Sequence, residues 1–470
     1  MWDIAEFERA AHATVASLSA YVDESTRGLT PVIRTRPPAE LSALLGLRRW
    51  ISEGGMDQEG YRDFLAGYLA EGTRMHHPAY LAHQCPAPDF PAALADFVHG
   101  VTNNPMAIYE MGASAATVEF EVLRWMLDKV GFGVSGGGVL THGGSLANLT
   151  ALLAARAAVA PSAWTDGVPA DLALLAPPSA HYSVTRAAAI LGLGERAVFP
   201  LETDPLGRID PAGLPAALDR VRRAGRRPMA LVASACSTGT GLYDDLRAIG
   251  GFCAEHDVWF HVDGAHGASA LLSEEHRHLL DGLELADSLI WDAHKMLRVS
   301  SLAAAVLVRR EGDLDRAFQQ EASYLFYGDR GFDSIGRTVE CSKAELGLKI
   351  FLNLAWRGER GLGEYVAGGY ATAHRLWRLA TARPGFSCPY EPESNIVCFR
   401  YGSADVDQAA LRSRLIDDGT FYLSSAEVGG VRHLRATVMS PATDDKTLEA
   451  LLDAVAEVGD RAGDRPGTGR

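Results

Sequence analysis

Basic charge, clustered cysteine and long apolar runs are all missing from this chain of 470 residues. Lysine and arginine number 44 against 59 aspartates and glutamates, a formal net charge of -15. A surface of that sign offers no footprint for nucleic acid or an anionic membrane. The 6 cysteines (Cys85, Cys236, Cys253, Cys341, Cys388, Cys398) form no C-x-x-C pair and no dense framework. Reduced thiols in the cytoplasm are therefore expected, rather than disulfides or a zinc knuckle. The opening residues, MWDIAEFERAAHATV, place no basic stretch ahead of an apolar one, so no secretory leader is expected. No apolar run reaches the about 20 residues of a membrane span. What is present, 47% hydrophobic and 22% charged residues, is ordinary for a soluble globular protein. The length suits two or more lobes.

Residues 1 to about 75 read as helices broken by Pro31, Pro37 and Pro38, with TPVIRTRPPAEL an extended arm. From Gly136 the pattern changes to short apolar runs alternating with longer amphipathic ones. Strands are expected at 138–141, 172–176, 197–201, 229–233, 258–262, 288–291 and 303–308. Helices are expected between them at 145–157, 181–191, 211–224 and 246–256. That alternation predicts βαβ units and a mainly parallel sheet covered on both faces. A long helix is expected over 343–379, then a small α+β lobe with strands near 396–399 and 433–438. The expected division is an N-terminal helical arm (1–110), a large α/β domain (111–340), a small C-terminal domain (341–460) and a disordered tail (461–470).

Several strand ends carry reactive side chains, where open α/β sheets place their ligands. Gly143-Gly144-Ser145 follows a strand and opens a helix, a ready anion site; taken alone it is more often an ordinary turn and cap. Asp263 ends an apolar strand, and a carboxylate there needs a partner. A protonated pyridine nitrogen would serve, and so would a metal held by His261, Asp263 and His266. On spacing alone these two readings stand level. Lys295 follows His294 after another apolar strand; desolvation there would make its amine a usable nucleophile for an imine. His181 opens a helix after Pro177-Pro178-Ser179, where an imidazole could stack on a flat ring. Four such sites on four strand ends do not coincide readily by chance.

These residues, together with HPAYLAHQCPAPDFPAALAD, SAHYSVTRAA, VWFHVDGAHGAS, DSLIWDAHKML, ASYLF and HLRATVMSPATD, resemble the group II pyridoxal-phosphate decarboxylases across nearly the whole chain. The family acts on glutamate, aromatic amino acids, cysteine sulfinate or diaminobutyrate. The resemblance implies the aspartate-aminotransferase-like α/β architecture (PLP fold type I), pyridoxal 5'-phosphate as cofactor, and a homodimer with its active site at the interface. It implies Lys295 as the lysine that forms the imine, Asp263 as partner of the pyridine nitrogen, and His181 as the ring-stacking residue. Gly144 and Ser145 match phosphate-loop positions, Ala265 the residue under the ring, and His294 a phosphate or hydroxyl contact. Thr240 falls in a turn, Ser237-Thr238-Gly239-Thr240, that matches the family's, although the following Gly241-Leu242-Tyr243 departs from it. Tyr324 matches the mobile-loop tyrosine that reprotonates Cα after carbon dioxide leaves. A phenylalanine there is associated in the family with oxidative deamination, so tyrosine implies plain decarboxylation to the amine. Arg435 matches an arginine that meets a substrate carboxylate, and Asn103 and Asn104 are expected near the side-chain pocket. Transamination, aldol cleavage or oxidative decarboxylation share the cofactor and form the alternative; a metal hydrolase on His261, Asp263 and His266 is a further one. No metal is expected.

Overall fold

A computed structural model describes residues 2–320 and 332–463. Its centre is a sheet of seven strands: β2 (Gly137–Thr141), β3 (Leu172–Ala176), β4 (Val198–Pro200), β5 (Arg227–Ser234), β6 (Trp259–Asp263), β7 (Ser288–Asp292) and β8 (Ala304–Val308). Their order across the sheet is β2-β8-β7-β6-β5-β3-β4. Strand β8 runs antiparallel to both of its neighbours, and the other pairs are parallel. The mainly parallel sheet expected from the sequence is therefore present, with one reversed strand inside it.

The apolar runs have a direct cause. Successive side chains of a strand point to opposite faces, so a strand covered on both sides must be apolar at every position. Leu172, Leu174 and Ala176 enter one hydrophobic core, while Ala173 and Leu175 enter the other. The same division separates Val306 and Val308 from Ala305 and Leu307. Helices Gly144–Val159 and Tyr182–Ile190 pack in the core that holds Leu172 and Val306, and Ala113–Val130 and Leu246–His256 in the one that holds Ala173 and Ala305.

A second sheet joins both ends of the chain. β1 (Tyr80–Leu81) lies parallel to β11 (Tyr422–Val428), which continues through β12 (Val431–Thr437) and β10 (Ile396–Tyr401) to β9 (Phe386–Ser387). Residues near the N-terminus are thus sewn into the C-terminal sheet. The arm is tied there too: Val32 is fully buried, its N–H donates to Gly419 O, and its carbonyl accepts from Arg74 N. The extended reading of TPVIRTRPPAEL ends early, because Pro38 begins the helix Pro38–Leu44. Proline is well suited to a first helical position, where its missing N–H costs nothing. The long helix runs Leu346–Ala382 and breaks at Gly358, whose φ of 67° no continuous helix accommodates.

Candidate active site

Because β2, β3, β5, β6 and β7 are parallel, their carboxyl ends share one edge of the sheet. Thr141, Ala176, Ser234, Asp263 and Asp292 end these strands. The loops that follow bring Gly144, His181, Thr240, Ala265 and Lys295 to that edge. Asp263 and Asp292 are delivered side by side: Asp263 pairs with Ile290, and Asp292 N–H donates to Ala265 O.

Lys295 is mostly buried, its side chain 18% exposed, with Nζ 3.4 Å from Asp292 Oδ2. His294 Nε2 lies 3.6 Å from the same oxygen, and its Nδ1 is 2.8 Å from Ala303 O. Asp292 is buried, and its Oδ1 has no partner among the described residues. It lies against the start of the helix Gly144–Val159: a Cβ on Gly144 would come within 2.6 Å of Asp292 Oδ2. Gly143 turns at φ 100°, a left-handed value that favours glycine, and no side chain caps the helix. Its first N–H groups are left for an anion, beside the lysine.

Asp263 accepts from Asn148 Nδ2 at 2.9 Å on one oxygen and from Ala265 N–H at 3.2 Å on the other. His181 is the N-cap of the helix Tyr182–Ile190 and is more than half buried. Burial lowers its pKa below the ordinary imidazole value; Asp263 and Asp292 oppose that shift, while Lys295 reinforces it. The four groups therefore lie close enough for the charges of the other three to bear on His181.

Arg435 approaches from β12. Its Nη1 donates to Ala82 O at 3.0 Å and to Ser424 Oγ at 2.9 Å, while Nε and Nη2 have no partner among the described residues. The residue is 5% exposed, and burial is the largest influence on its charge, which it opposes. Both Lys295 and Arg435 bear electrostatically on buried His266 and on Cys236, so the two cations lie on either side of these residues' neighbourhood rather than far apart. Burial, then Lys295, lowers His266 to a pKa of about 3.

The remaining expected positions are distributed unevenly. Thr240 is buried, its carbonyl accepting from Tyr390 Oη at 2.7 Å. Asn104 donates through Nδ2 and its backbone N–H to Glu345 Oε1, and Asn103 ends the helix Phe90–Thr102 in the left-handed region. None of their hydrogen bonds reaches the Lys295 cluster. Tyr324 lies outside the described residues. The metal alternative lacks its ligands: both ring nitrogens of His261 meet Ser288 and Asn148, and His266 Nε2 meets Asn395. Among the described residues no three His, Cys, Asp or Glu side chains converge as a metal site.

Two polar residues of the pocket were not singled out from the sequence. Asn148 sits one turn into an alanine- and leucine-rich helix and resembles a chance polar position. Asp292 was visible only as the start of Asp292-Ala293-His294-Lys295. The signal for both was polarity in an apolar setting.

A lysine between two strand-end carboxylates, an uncapped helix start and a buried imidazole is the equipment for an aldehyde cofactor with a phosphate tail. Residues 62–402 match the family described as the pyridoxal-dependent decarboxylase conserved domain. The chain belongs to that family. It is 30% identical to cysteine sulfinic acid decarboxylase of Mus musculus over 465 residues, covering 93% of this chain and 94% of the relative. It is 29% identical over 453 residues to the acidic amino acid decarboxylase GADL1 of Bos taurus, covering 91% and 86%. The crystal structure of mouse CSAD superposes with a TM-score of 0.91 at 28% identity, covering 97% of this chain and 99% of that one. The protein is a carboxy-lyase that uses pyridoxal phosphate to decarboxylate an amino acid. Its fold is the type I fold of these enzymes. The residues present fit the cofactor: the mostly buried Lys295 amine suits its aldehyde, the Asp263 carboxylate a protonated ring nitrogen, and the uncapped helix start its phosphate.

Proposed function

We propose that the substrate is an amino acid with an acidic side chain, a carboxylate or a sulfinate, and that a homodimer in the cytoplasm is the working enzyme. The observation that carries the substrate class is the free edge of Arg435. Nε and Nη2 form one planar fork of the guanidinium, both are buried, and neither has a partner among the described residues. An unpaired buried charge is costly, and an oxyanion is its natural complement through two parallel hydrogen bonds. The names of the relatives, cysteine sulfinic acid decarboxylase and acidic amino acid decarboxylase, agree with that chemistry.

Within this reading the cofactor, when bound, supplies an electron sink for the bond that breaks. Lys295 holds it through its amine, and Asp263 retains a proton on the ring nitrogen. The N-terminus of the helix Gly144–Val159, with Ser145, holds the phosphate, and Ala265 and His181 flank the ring. His294 and Thr240 support the lysine and the phosphate side. Tyr324 returns a proton to Cα, and Asn103 and Asn104 border the substrate end.

The dimer reading rests on an apolar face. Phe90, Leu94, Phe97, Val98 and Val101 are each more than 40% exposed and recur at helical spacing on one stripe. Trp356 stacks edge-on to Phe90 at 5.0 Å and extends the patch. All six cysteines are free thiols, which suits a reducing compartment. No helix among the described residues is long and apolar enough to cross a membrane.

The test is a substrate panel with the cofactor-loaded protein, measuring carbon dioxide and amine from cysteine sulfinate, aspartate, glutamate, 2,4-diaminobutyrate and tryptophan. An acidic amino acid is expected to be preferred by kcat/KM. Preference for the diamino or aromatic substrate would overturn the substrate class. Aldehyde and ammonia in place of amine would overturn plain decarboxylation.

A further inference from the structure

We propose that Asn148 is a positioning residue that couples Asp263 to His181, so that one amide sets both groups flanking the cofactor. The proposal rests on the reading of Asp263 and His181 given above, and concerns what holds them.

Seven side chains form one path that branches at Asn148. Trp259 Nε1 is 2.8 Å from Ser288 Oγ, which is 2.8 Å from His261 Nδ1. His261 Nε2 is 2.9 Å from Asn148 Oδ1. Asn148 Nδ2 is 2.9 Å from Asp263 Oδ2 and 2.8 Å from Ser183 Oγ, and Ser183 Oγ is 2.7 Å from His181 Nδ1.

The hydrogens on this path have one arrangement. An indole N–H only donates, so Ser288 accepts from Trp259 and is free to donate to His261 Nδ1. His261 is fully buried, which lowers its pKa to about 4 and keeps the ring neutral. With Nδ1 accepting, its single N–H lies on Nε2 and points at Asn148 Oδ1. The amide orientation follows: oxygen toward His261, both N–H groups toward Asp263 and Ser183. At the far end a carboxylate only accepts, which agrees. Ser183 then donates its hydroxyl hydrogen to His181 Nδ1, and its backbone N–H points at the same atom at 3.3 Å. The His181 proton is thereby placed on Nε2.

Asn148 lies one turn beyond Gly144 on the same helix. A single helix thus offers its N-terminus on one side and orients the carboxylate and the imidazole on the other. The charged groups that bear on His181 are Asp263, Lys295, Asp292 and Arg186, and the one that bears on His261 is Asp263.

The test uses the cofactor-loaded protein and three variants, reading pyridoxal-phosphate affinity by equilibrium dialysis and the pH midpoint of the bound cofactor's visible absorbance. Asn148→Asp keeps the shape but sets a carboxylate against Asp263, and Asn148→Leu removes both donors. Each is expected to weaken cofactor binding at least about tenfold and to move the absorbance midpoint, with thermal unfolding of the apoprotein as the check on folding. Ser183→Ala severs only the His181 branch. It is expected to leave affinity within about threefold, to change the pH profile of kcat, and to have no added effect in Asn148→Leu. Wild-type affinity and an unmoved midpoint in Asn148→Asp would overturn the proposal, as would full additivity of the double variant. Should both Asn148 variants fail to fold, an unchanged kcat profile in Ser183→Ala overturns it instead. Asp263→Asn separates the two readings: wild-type affinity and spectrum there would remove the assigned role of Asp263 itself.

Discussion

The two sides of the pocket are finished to different degrees. On the Asp263 side, each hydrogen-bonding atom of Asn148, His261 and Asp263 has a partner, and the path runs back to Trp259 in the core. On the Arg435 side, half a guanidinium and His266 Nδ1 are buried with no partner. Satisfied networks rigidify, and unsatisfied buried groups cost free energy until something fills them. The first side is shaped for a resident group that must be held in one geometry. In the proposed reading the second suits a molecule that comes and goes, with an oxyanion to replace the missing partners. Under the function proposed above, the difference separates a cofactor wall from a substrate wall.

The largest effect should come from the group between the walls. Lys295→Ala is expected to abolish the visible absorbance of covalently held cofactor and to lower decarboxylation by at least about a thousandfold, measured spectrophotometrically and by carbon dioxide release. The walls themselves should then respond in opposite ways. Arg435→Met is expected to lower kcat/KM by about a hundredfold, from two lost hydrogen bonds to a charged group at about 1.5 kcal/mol each. Its stability should change by no more than about 1 kcal/mol, because the lost bonds to Ala82 and Ser424 are offset by removal of an unpaired buried charge. Asp263→Ala is expected to destabilise the apoprotein by about 1–3 kcal/mol, since it strands donors from Asn148 and Ala265. Urea unfolding of both apoproteins checks the contrast. A costly Arg435→Met beside a neutral Asp263→Ala would break it.

Much of the fold was legible because parallel strands buried on both faces must be apolar throughout. The runs at 172–176 and 246–256 coincide with β3 and with the helix Leu246–His256. Strand β11 was not singled out, since Ser424, Ser425 and Glu427 interrupt its apolar pattern. Its hairpin turn was in plain view, however: Gly429 and Gly430 take φ values of 55° and 77° between Val428 and Val431. Strand ends carrying Asp263 and Lys295 could be read from order alone, because the chemistry follows directly after each apolar run. Asn148 could not, as its partners Ser183, His261 and Asp263 lie 35, 113 and 115 residues away. The free fork of Arg435 is likewise a property of packing; the sequence shows an arginine, and only the fold shows what it lacks.

Acid should attack the buried imidazoles next. His261 and His266 are lowered from the ordinary 6.5 to about 4 and about 3, in both cases chiefly by burial. Their neutral forms favour the folded state, so this contribution is complete above pH 6.5. It is lost as the pH falls toward each folded value, because the unfolded chain takes up protons that the folded chain refuses. The slope is at most about 1.4 kcal/mol per pH unit for each histidine. Urea midpoints between pH 7 and 4.5 should fall accordingly, and His266→Gln should flatten the fall while leaving the pH 7 value nearer to wild type. A midpoint independent of pH across that window would contradict the burial of both rings.

The smallest effect tests where the cofactor wall ends. Ser288 joins Trp259 to His261 and is three hydrogen bonds away from Asp263. Ser288→Ala leaves an indole N–H and an imidazole nitrogen unpaired in the core, at a cost of about 1–2 kcal/mol. His261 Nε2 keeps Asn148 as its partner, so the amide keeps its orientation and Asp263 its donor. Cofactor affinity is therefore expected to stay within about threefold of wild type while the urea midpoint drops. If affinity instead fell as far as in Asp263→Ala, order would pass along the whole path, and the wall would extend to the back of the sheet. If neither quantity moved, the Trp259–Ser288 segment would be mere filling, and the wall would begin at His261.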